Sequence, residues 1–258
     1  MPHPDRPRDL RVGRADHVSQ GLNMAAAFEA IVLAGGLGTR LRSAVPDLPK
    51  PLAPVAGRPF LDYLLGHLEH VGARHVILSV GYLGEQIEAR YGGCFGSVEI
   101  SYSRESAPLG TGGALRQALS FSAGAYTLAL NGDTLLECDP WPFIVATART
   151  HKQLGILTRD VEDTGRYGRC ELSNDVVVGF GQKEATGPGL INAGVYCLRH
   201  DLFEGHALPD RFSFEHDFIE PQLARLKPYG ARVRGYFIDI GVPEDFERAQ
   251  RELPLLRW

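Results

Sequence analysis

The chain has 258 residues, 44% of them hydrophobic and 22% charged, with a formal net charge of −4. That is enough for one substantial core, and too balanced for a basic nucleic-acid groove or for long disorder. No apolar run reaches the roughly 18 residues of a membrane-spanning helix. The first 23 residues also lack the apolar middle of a secretory signal, so a cytoplasmic protein that binds neither nucleic acid nor membrane is expected.

Residues 1–23 are polar, with neither helical nor strand period, and are expected to form a disordered extension. Residues 24–258 then make one domain. Apolar runs predict a strand over 28–33 leading into a glycine-rich loop, a helix over 60–71 and a strand over 75–80. A short helix over 85–91, a strand over 98–103, a helix over 113–119 and a strand over 126–130 follow. Pro140 can open the next helix, to about residue 151. Such alternation means βαβ units and an α/β fold, a mostly parallel sheet with helices on both faces. After residue 151 the texture changes to strands over 154–158, 168–172, 176–181 and 191–198. A helix over 218–226, a strand over 232–238 and a helix over 244–253 complete the chain.

The four cysteines, Cys94, Cys138, Cys170 and Cys197, form no CxxC pair, so reduced thiols are expected rather than a zinc knuckle or redox motif. His67 and His70 lie three apart on a predicted helix without HExxH spacing, and are expected to face solvent. Basic residues are lopsided, with only four lysines, Lys50, Lys152, Lys183 and Lys227, so the placement of each lysine carries information.

The strongest local signal is Leu33-Ala-Gly35-Gly36-Leu-Gly38-Thr39-Arg40, directly after the first strand. Its glycines let backbone N–H groups approach an anion as a phosphate-binding nest. It is not the dinucleotide fingerprint, because Leu41 stands where GxGxxG needs glycine, and no Gly-Lys-Ser/Thr follows to make a P-loop. Ten residues on, Lys50 sits between Pro49 and Pro51; with Arg40 it suits charge neutralisation in phosphoryl chemistry. Asn131-Gly132-Asp133 ends a predicted parallel strand, where open α/β sheets bind ligands. Asp239 lies inside the apolar run Phe237–Gly241, and a hard divalent cation shared with Asp133 would compensate its burial.

Taken together, the sequence resembles the sugar-1-phosphate nucleotidylyltransferases over roughly residues 28–250. The motifs are GGLGTRLR…PKP (35–51), LGTGGAL (109–115), NGD (131–133), INAGVY (191–196) and FIDIG (237–241). The short chain, PLGTGGA, FSFEHDF and YFIDIGVPEDF look most like the branch that guanylylates D-glycero-α-D-manno-heptose 1-phosphate, with the mannose 1-phosphate branch next. The resemblance implies a Rossmann-like sheet with a small sugar-binding lobe within about 152–235. It implies nucleotide contacts from Leu33, Gly35, Gly36, Gly38, Thr39, Arg40, Glu105, Gly110, Gly113 and Asp133, with Glu105 near the base edge. Arg40 and Lys50 would be catalytic, and Asp133 and Asp239 would hold Mg²⁺. Tyr167, Gly168, Lys183, Asn192 and Gly194 would contact the sugar phosphate. One departure is Gln182-Lys183-Glu184 where the family commonly has Glu-Lys-Pro.

The implied reaction transfers a nucleotidyl group, GMP favoured, from GTP or another nucleoside triphosphate to a sugar 1-phosphate. Uridylyl or thymidylyl transfer, and a non-catalytic sugar-nucleotide-binding module on the same fold, are the alternatives. Homo-oligomerisation is left open by the sequence.

Overall fold

A computed structural model describes residues 27–36, 47–165, 167, 169–181 and 187–258. The expected extension over 1–23, and the site candidates Gly38, Thr39, Arg40, Gly168 and Lys183, lie outside the described residues.

In chain order the strands and helices begin with β1 (Phe28–Leu33), the hairpin β2 (Pro54–Val55) and β3 (Arg58–Pro59), α1 (Phe60–His70) and β4 (Ala73–Val80). Next come α2 (Gly84–Tyr91), β5 (Cys94–Phe95), β6 (Val98–Arg104), α3 (Gly110–Leu119), β7 (Tyr126–Asn131), β8 (Thr134–Leu136) and α4 (Trp141–Arg149). The remainder is β9 (Leu154–Val161), β10 (Cys170–Ser173), β11 (Val176–Phe180), β12 (Gly189–Arg199), α5 (Glu220–Leu226), β13 (Tyr229–Val233), β14 (Phe237–Asp239) and α6 (Pro243–Glu252).

One ten-stranded sheet runs β10-β11-β13-β9-β12-β7-β1-β4-β6-β5. β6, β4, β1 and β7 are parallel neighbours, and only β12, β11 and β5 run against the rest. Strands β9 to β13 extend this same sheet, while β14 pairs with β8 apart from it. Strand alternation divides the core. Ala30 and Val32 of β1 face α1 through Leu61, Leu64, Leu65 and Leu68. Ile31 faces the opposite layer, where Leu115, Ala118 and Leu119 of α3 pack with Phe214 and Phe218. A third cluster joins Ile238 and Ile240 to Ala249 of α6 and to Leu135.

Three expectations are corrected. The run 232–238 is not one strand: β13 belongs to the large sheet and β14 pairs with β8. Gly235 marks the crossing, since a side chain there would collide with the Glu137 carbonyl, while Glu137 N donates to Tyr236 O at 2.8 Å. The helix expected from residue 113 starts at Gly110, because Gly112 N donates to Phe212 O at 2.9 Å and so ties the glycine-rich first turn down. His67 does not face solvent. It is buried against Trp258, with ring centroids 5.2 Å apart, and Nε2 donates to the Cys138 carbonyl at 3.1 Å.

Candidate active site

β1 lies between β4 and β7, so the chain leaves β1 to one side and returns to the other. At such a switch point the carboxyl ends of the two strands part and leave a crevice. Leu33 and Asn131 are register partners at those ends. Gly132 N donates to Leu33 O at 3.0 Å, and a methyl at Gly132 would fall on that same oxygen. The glycine of the Asn-Gly motif is therefore a requirement of close strand approach.

A cleft of about 240 Å³ opens here, lined by Leu33, Ala34, Gly36, Lys50, Asn131, Asp133, Thr111 and Glu215 among others. Lys50 begins a 3₁₀ turn between Pro49 and Pro51. Its Nζ is 2.5 Å from Asp133 Oδ2, with the lysine side chain only 14% exposed. Asp133 Oδ1 accepts from Thr134 Oγ1 at 3.2 Å. The β8–β14 pairing sets Asp239 opposite Thr134, and Ile240 N donates to Asp133 O at 2.9 Å. Asp239 Oδ1 accepts from Gly241 N at 2.7 Å. A β-carbon on Gly241 would stand 2.7 Å from Asp239 Oδ1 and 3.2 Å from Lys50 Nζ, so ammonium and both carboxylates share one corner.

A second cleft of about 190 Å³ adjoins it, lined by Leu33, Gly35, Gly36, Glu105, Pro108, Gly110, Thr111, Ala114 and Arg211. Glu105 Oε2 accepts from Leu109 N at 2.9 Å, while Oε1 lies 2.6 Å from where a Gly35 side chain would begin. Burial pushes the Glu105 carboxyl above its usual range, against the Leu109 hydrogen bond. Gly110 takes φ +68° and lines this cleft. Gly113 lines neither cleft; it packs behind, where a side chain would strike the Asp210 carbonyl.

On the β12 side, Asn192 Oδ1 accepts from Gly194 N at 3.0 Å, and Asn192 Nδ2 donates to the Tyr196 hydroxyl at 2.8 Å. Gly194 takes φ +69° beside the Asn131 side chain. Tyr167 packs edge-on to Phe237 at 5.8 Å. The sequence motifs contained Thr111, Asn131 and Glu215 without assigning them roles, and Arg211 stands one residue before FSFEHDF; the fold brings all four to the clefts.

Asp133 and Asp239 form a hard oxygen donor pair. Among the described residues no group of three His, Cys, Asp or Glu makes a protein-only cage. A pair of carboxylates completed by substrate phosphate oxygens is how Mg²⁺ is commonly held, so the residues fit that ion.

An open α/β sheet whose switch point gathers Gly35, Gly36, a prolyl-flanked lysine and two carboxylates has the make-up of a nucleotide-handling transferase. The chain matches the nucleotidyl transferase family over residues 29–254 and belongs to it. It is 40% identical over 226 residues to D-glycero-α-D-manno-heptose 1-phosphate guanylyltransferase of Aneurinibacillus thermoaerophilus, covering 88% of this chain and 98% of that one. The crystal structure of HddC from Yersinia pseudotuberculosis superposes with a TM-score of 0.77 at 34% identity, over 87% of this chain and 99% of that one. The same protein complexed with GMP-PN gives 0.75 over the same shares. Mannose-1-phosphate guanylyltransferase of Mycobacterium tuberculosis is 33% identical, covering 87% of this chain and 64% of that one.

Proposed function

We propose that the chain transfers GMP from GTP to D-glycero-α-D-manno-heptose 1-phosphate, giving the GDP-sugar and pyrophosphate. The observation that carries the reading is the Lys50–Asp133 pair at the switch-point cleft, beside Asp239. Similarity to heptose 1-phosphate guanylyltransferases over nearly their whole length supports the choice of substrates.

An acceptor phosphate oxygen attacks the α-phosphorus of GTP, the new O–P bond forms, and the bond to the bridging oxygen of pyrophosphate breaks. The acceptor is already an anion at neutral pH, so no general base is needed. The protein must hold two polyanions in line and offset their repulsion. Phosphate oxygens arriving beside Lys50 take over the ammonium that Asp133 holds in the free enzyme. Gly35 and Gly36 leave backbone close to the triphosphate, and Arg40 is our choice for the departing pyrophosphate. Asp133 and Asp239 would hold Mg²⁺, which as a Lewis acid supplies charge stabilisation at the α-phosphate.

Glu105 and Gly110 take the base side in this reading. Tyr167, Gly168, Lys183, Asn192 and Gly194 take the sugar phosphate. Four cysteines that form no disulfide suit a reducing compartment, and we place the reaction in the cytoplasm.

Labelled GTP tests the bond that breaks. Label in the α-phosphate should enter the sugar nucleotide, and label in the γ-phosphate should leave as pyrophosphate. A γ-label found on the sugar, or α-label released as free GMP, would contradict the proposal.

A further inference from the structure

One wall of the Lys50 cleft carries a carboxylate, that of Glu215. It stands in the first turn of a π-helical segment, Phe214–Ile219, a wide turn of the kind found at functional positions. Ser213 caps that turn by accepting from His216 N, and Asp217 Oδ2 accepts from Ser213 N at 2.7 Å. Phe214 and Phe218 on either side are fully buried, so the backbone that presents Glu215 is anchored.

Two hydrogen-bond runs end on its carboxylate. In one, Asn192 Nδ2 donates to the Tyr196 hydroxyl at 2.8 Å, and that hydroxyl donates to Glu215 Oε1 at 2.7 Å. In the other, Phe214 N donates to Thr111 Oγ1 at 2.8 Å, and Thr111 Oγ1 donates to Glu215 Oε2 at 3.3 Å. The direction follows from the ends of each run. A side-chain NH₂ and a peptide N–H can only donate, so each hydroxyl must pass its own proton on to the carboxylate. Burial of Tyr196, reinforced by Glu215, raises its hydroxyl well above the usual range and keeps it a donor.

Each carboxylate oxygen can accept more than one hydrogen bond. The runs leave that remaining capacity at the cleft. A carboxylate in a site for two polyanions repels phosphate, and the neutral donors it can welcome there are hydroxyl groups. Glu215 lines the cleft of Lys50 and Asp133, whereas the cleft of Glu105 does not include it. The run through Tyr196 begins on β12, where pairing with β9 is interrupted between Asn192 and Tyr196.

We propose that Glu215 is a specificity-determining residue that accepts a hydrogen bond from a hydroxyl of the acceptor sugar, its carboxylate aimed by the Asn192–Tyr196 and Phe214–Thr111 runs. This rests on the nucleotidyl-transfer reading for its substrate class.

The test is Glu215→Gln, with binding of heptose 1-phosphate and of GTP measured by calorimetry and turnover measured separately. No orientation of an amide accepts from both Tyr196 and Thr111. Loss of a hydrogen bond to a charged group corresponds to about 10- to 100-fold weaker binding of the sugar phosphate, with GTP affinity within about twofold. Tyr196→Phe keeps the charge but loses one aiming bond, and should show the same split at about three- to tenfold. Should Glu215→Gln melt far below wild type, Glu215→Asp and Tyr196→Phe carry the comparison. Equal weakening of both substrates, or unchanged sugar-phosphate binding, would overturn the role of Glu215. Wild-type protein that binds heptose 1-phosphate yet transfers no nucleotide would contradict the reaction, and the binding ratio would still decide Glu215. A wild type that binds no sugar phosphate would overturn both.

Discussion

Lys50 and Asp133, 83 residues apart, meet at 2.5 Å across the cleft between the ends of β1 and β7. The lysine comes from a short 3₁₀ turn and the aspartate from the loop leaving the strand. Neither position suggests the other in sequence; the parallel pairing of β1 with β7 and the turn over Lys50–Leu52 bring them together. The pair keeps a cation in a partly enclosed corner of the cleft, where the proposed reaction needs one.

Replacing Asp133 or Asp239 by asparagine keeps the shape and removes a charge. Each change should lower kcat on the order of 100-fold or more, equivalent to about 2.7 kcal/mol. Asp239→Asn should in addition raise the Mg²⁺ concentration needed for half-maximal rate, since Asp133 alone would remain. Wild-type turnover in either variant at saturating Mg²⁺ would remove that residue from the site.

Gly132 sits where a side chain would strike Leu33 O. Gly132→Ala must push β7 from β1 at the point where the cleft forms. Overpacking of this kind costs about 1–3 kcal/mol, and for a chain of this size each kcal/mol lowers Tm by about 2–4 °C. Thermal melting should show that loss together with reduced kcat. A variant as stable and active as wild type would mean the strands separate without cost.

His67 makes stability depend on acid. Burial holds its folded-state pKa down at about 4, below the usual 6.5. Between those values the unfolded chain binds the proton and the folded chain does not. This contribution is therefore constant above about pH 6.5 and falls as pH drops toward 4, by about 3 kcal/mol at the full span. His67→Gln should flatten that part of the stability profile. Urea unfolding at several pH values, followed by Trp258 fluorescence in a Trp141→Phe background, gives the slope. An equally steep profile in the variant would place the acid sensitivity elsewhere.

Glu105 is the proposed reader of the base. Guanine presents N1–H and its amino group side by side, and an ionised carboxylate can accept both. Glu105→Gln retains an acceptor for Leu109 N and so keeps the loop. The loss of charge should cost about 1.5–3 kcal/mol in kcat/KM for GTP and narrow the gap to UTP. An unchanged GTP/UTP ratio would show that Glu105 only braces the loop against Gly35.

Much of this architecture was legible because strand and helix periods are local. The runs at 28–33 and 126–130 and the loops after them gave both walls of the cleft, and the mostly parallel sheet followed from their alternation with helices. What depends on contacts between distant segments was not legible. The strand expected over 232–238 hides its division between two sheets, because only the closeness of Glu137 makes Gly235 a crossing point. Gly113 reads as a ligand glycine but is required by the Asp210 backbone. His67 carries no local mark of burial, since its cover is Trp258 at the far end of the chain. Glu215 stood inside a recognised motif, and only the Tyr196 and Thr111 hydroxyls that end on it give it a direction.

The central claim is the pairing of donor and acceptor. Four nucleoside triphosphates set against heptose, mannose, glucose and N-acetylhexosamine 1-phosphates, with pyrophosphate release as the readout, test it most directly. The account predicts the highest kcat/KM for GTP with D-glycero-α-D-manno-heptose 1-phosphate, and release that depends on Mg²⁺. Faster release with UTP, or with mannose 1-phosphate as acceptor, would contradict it.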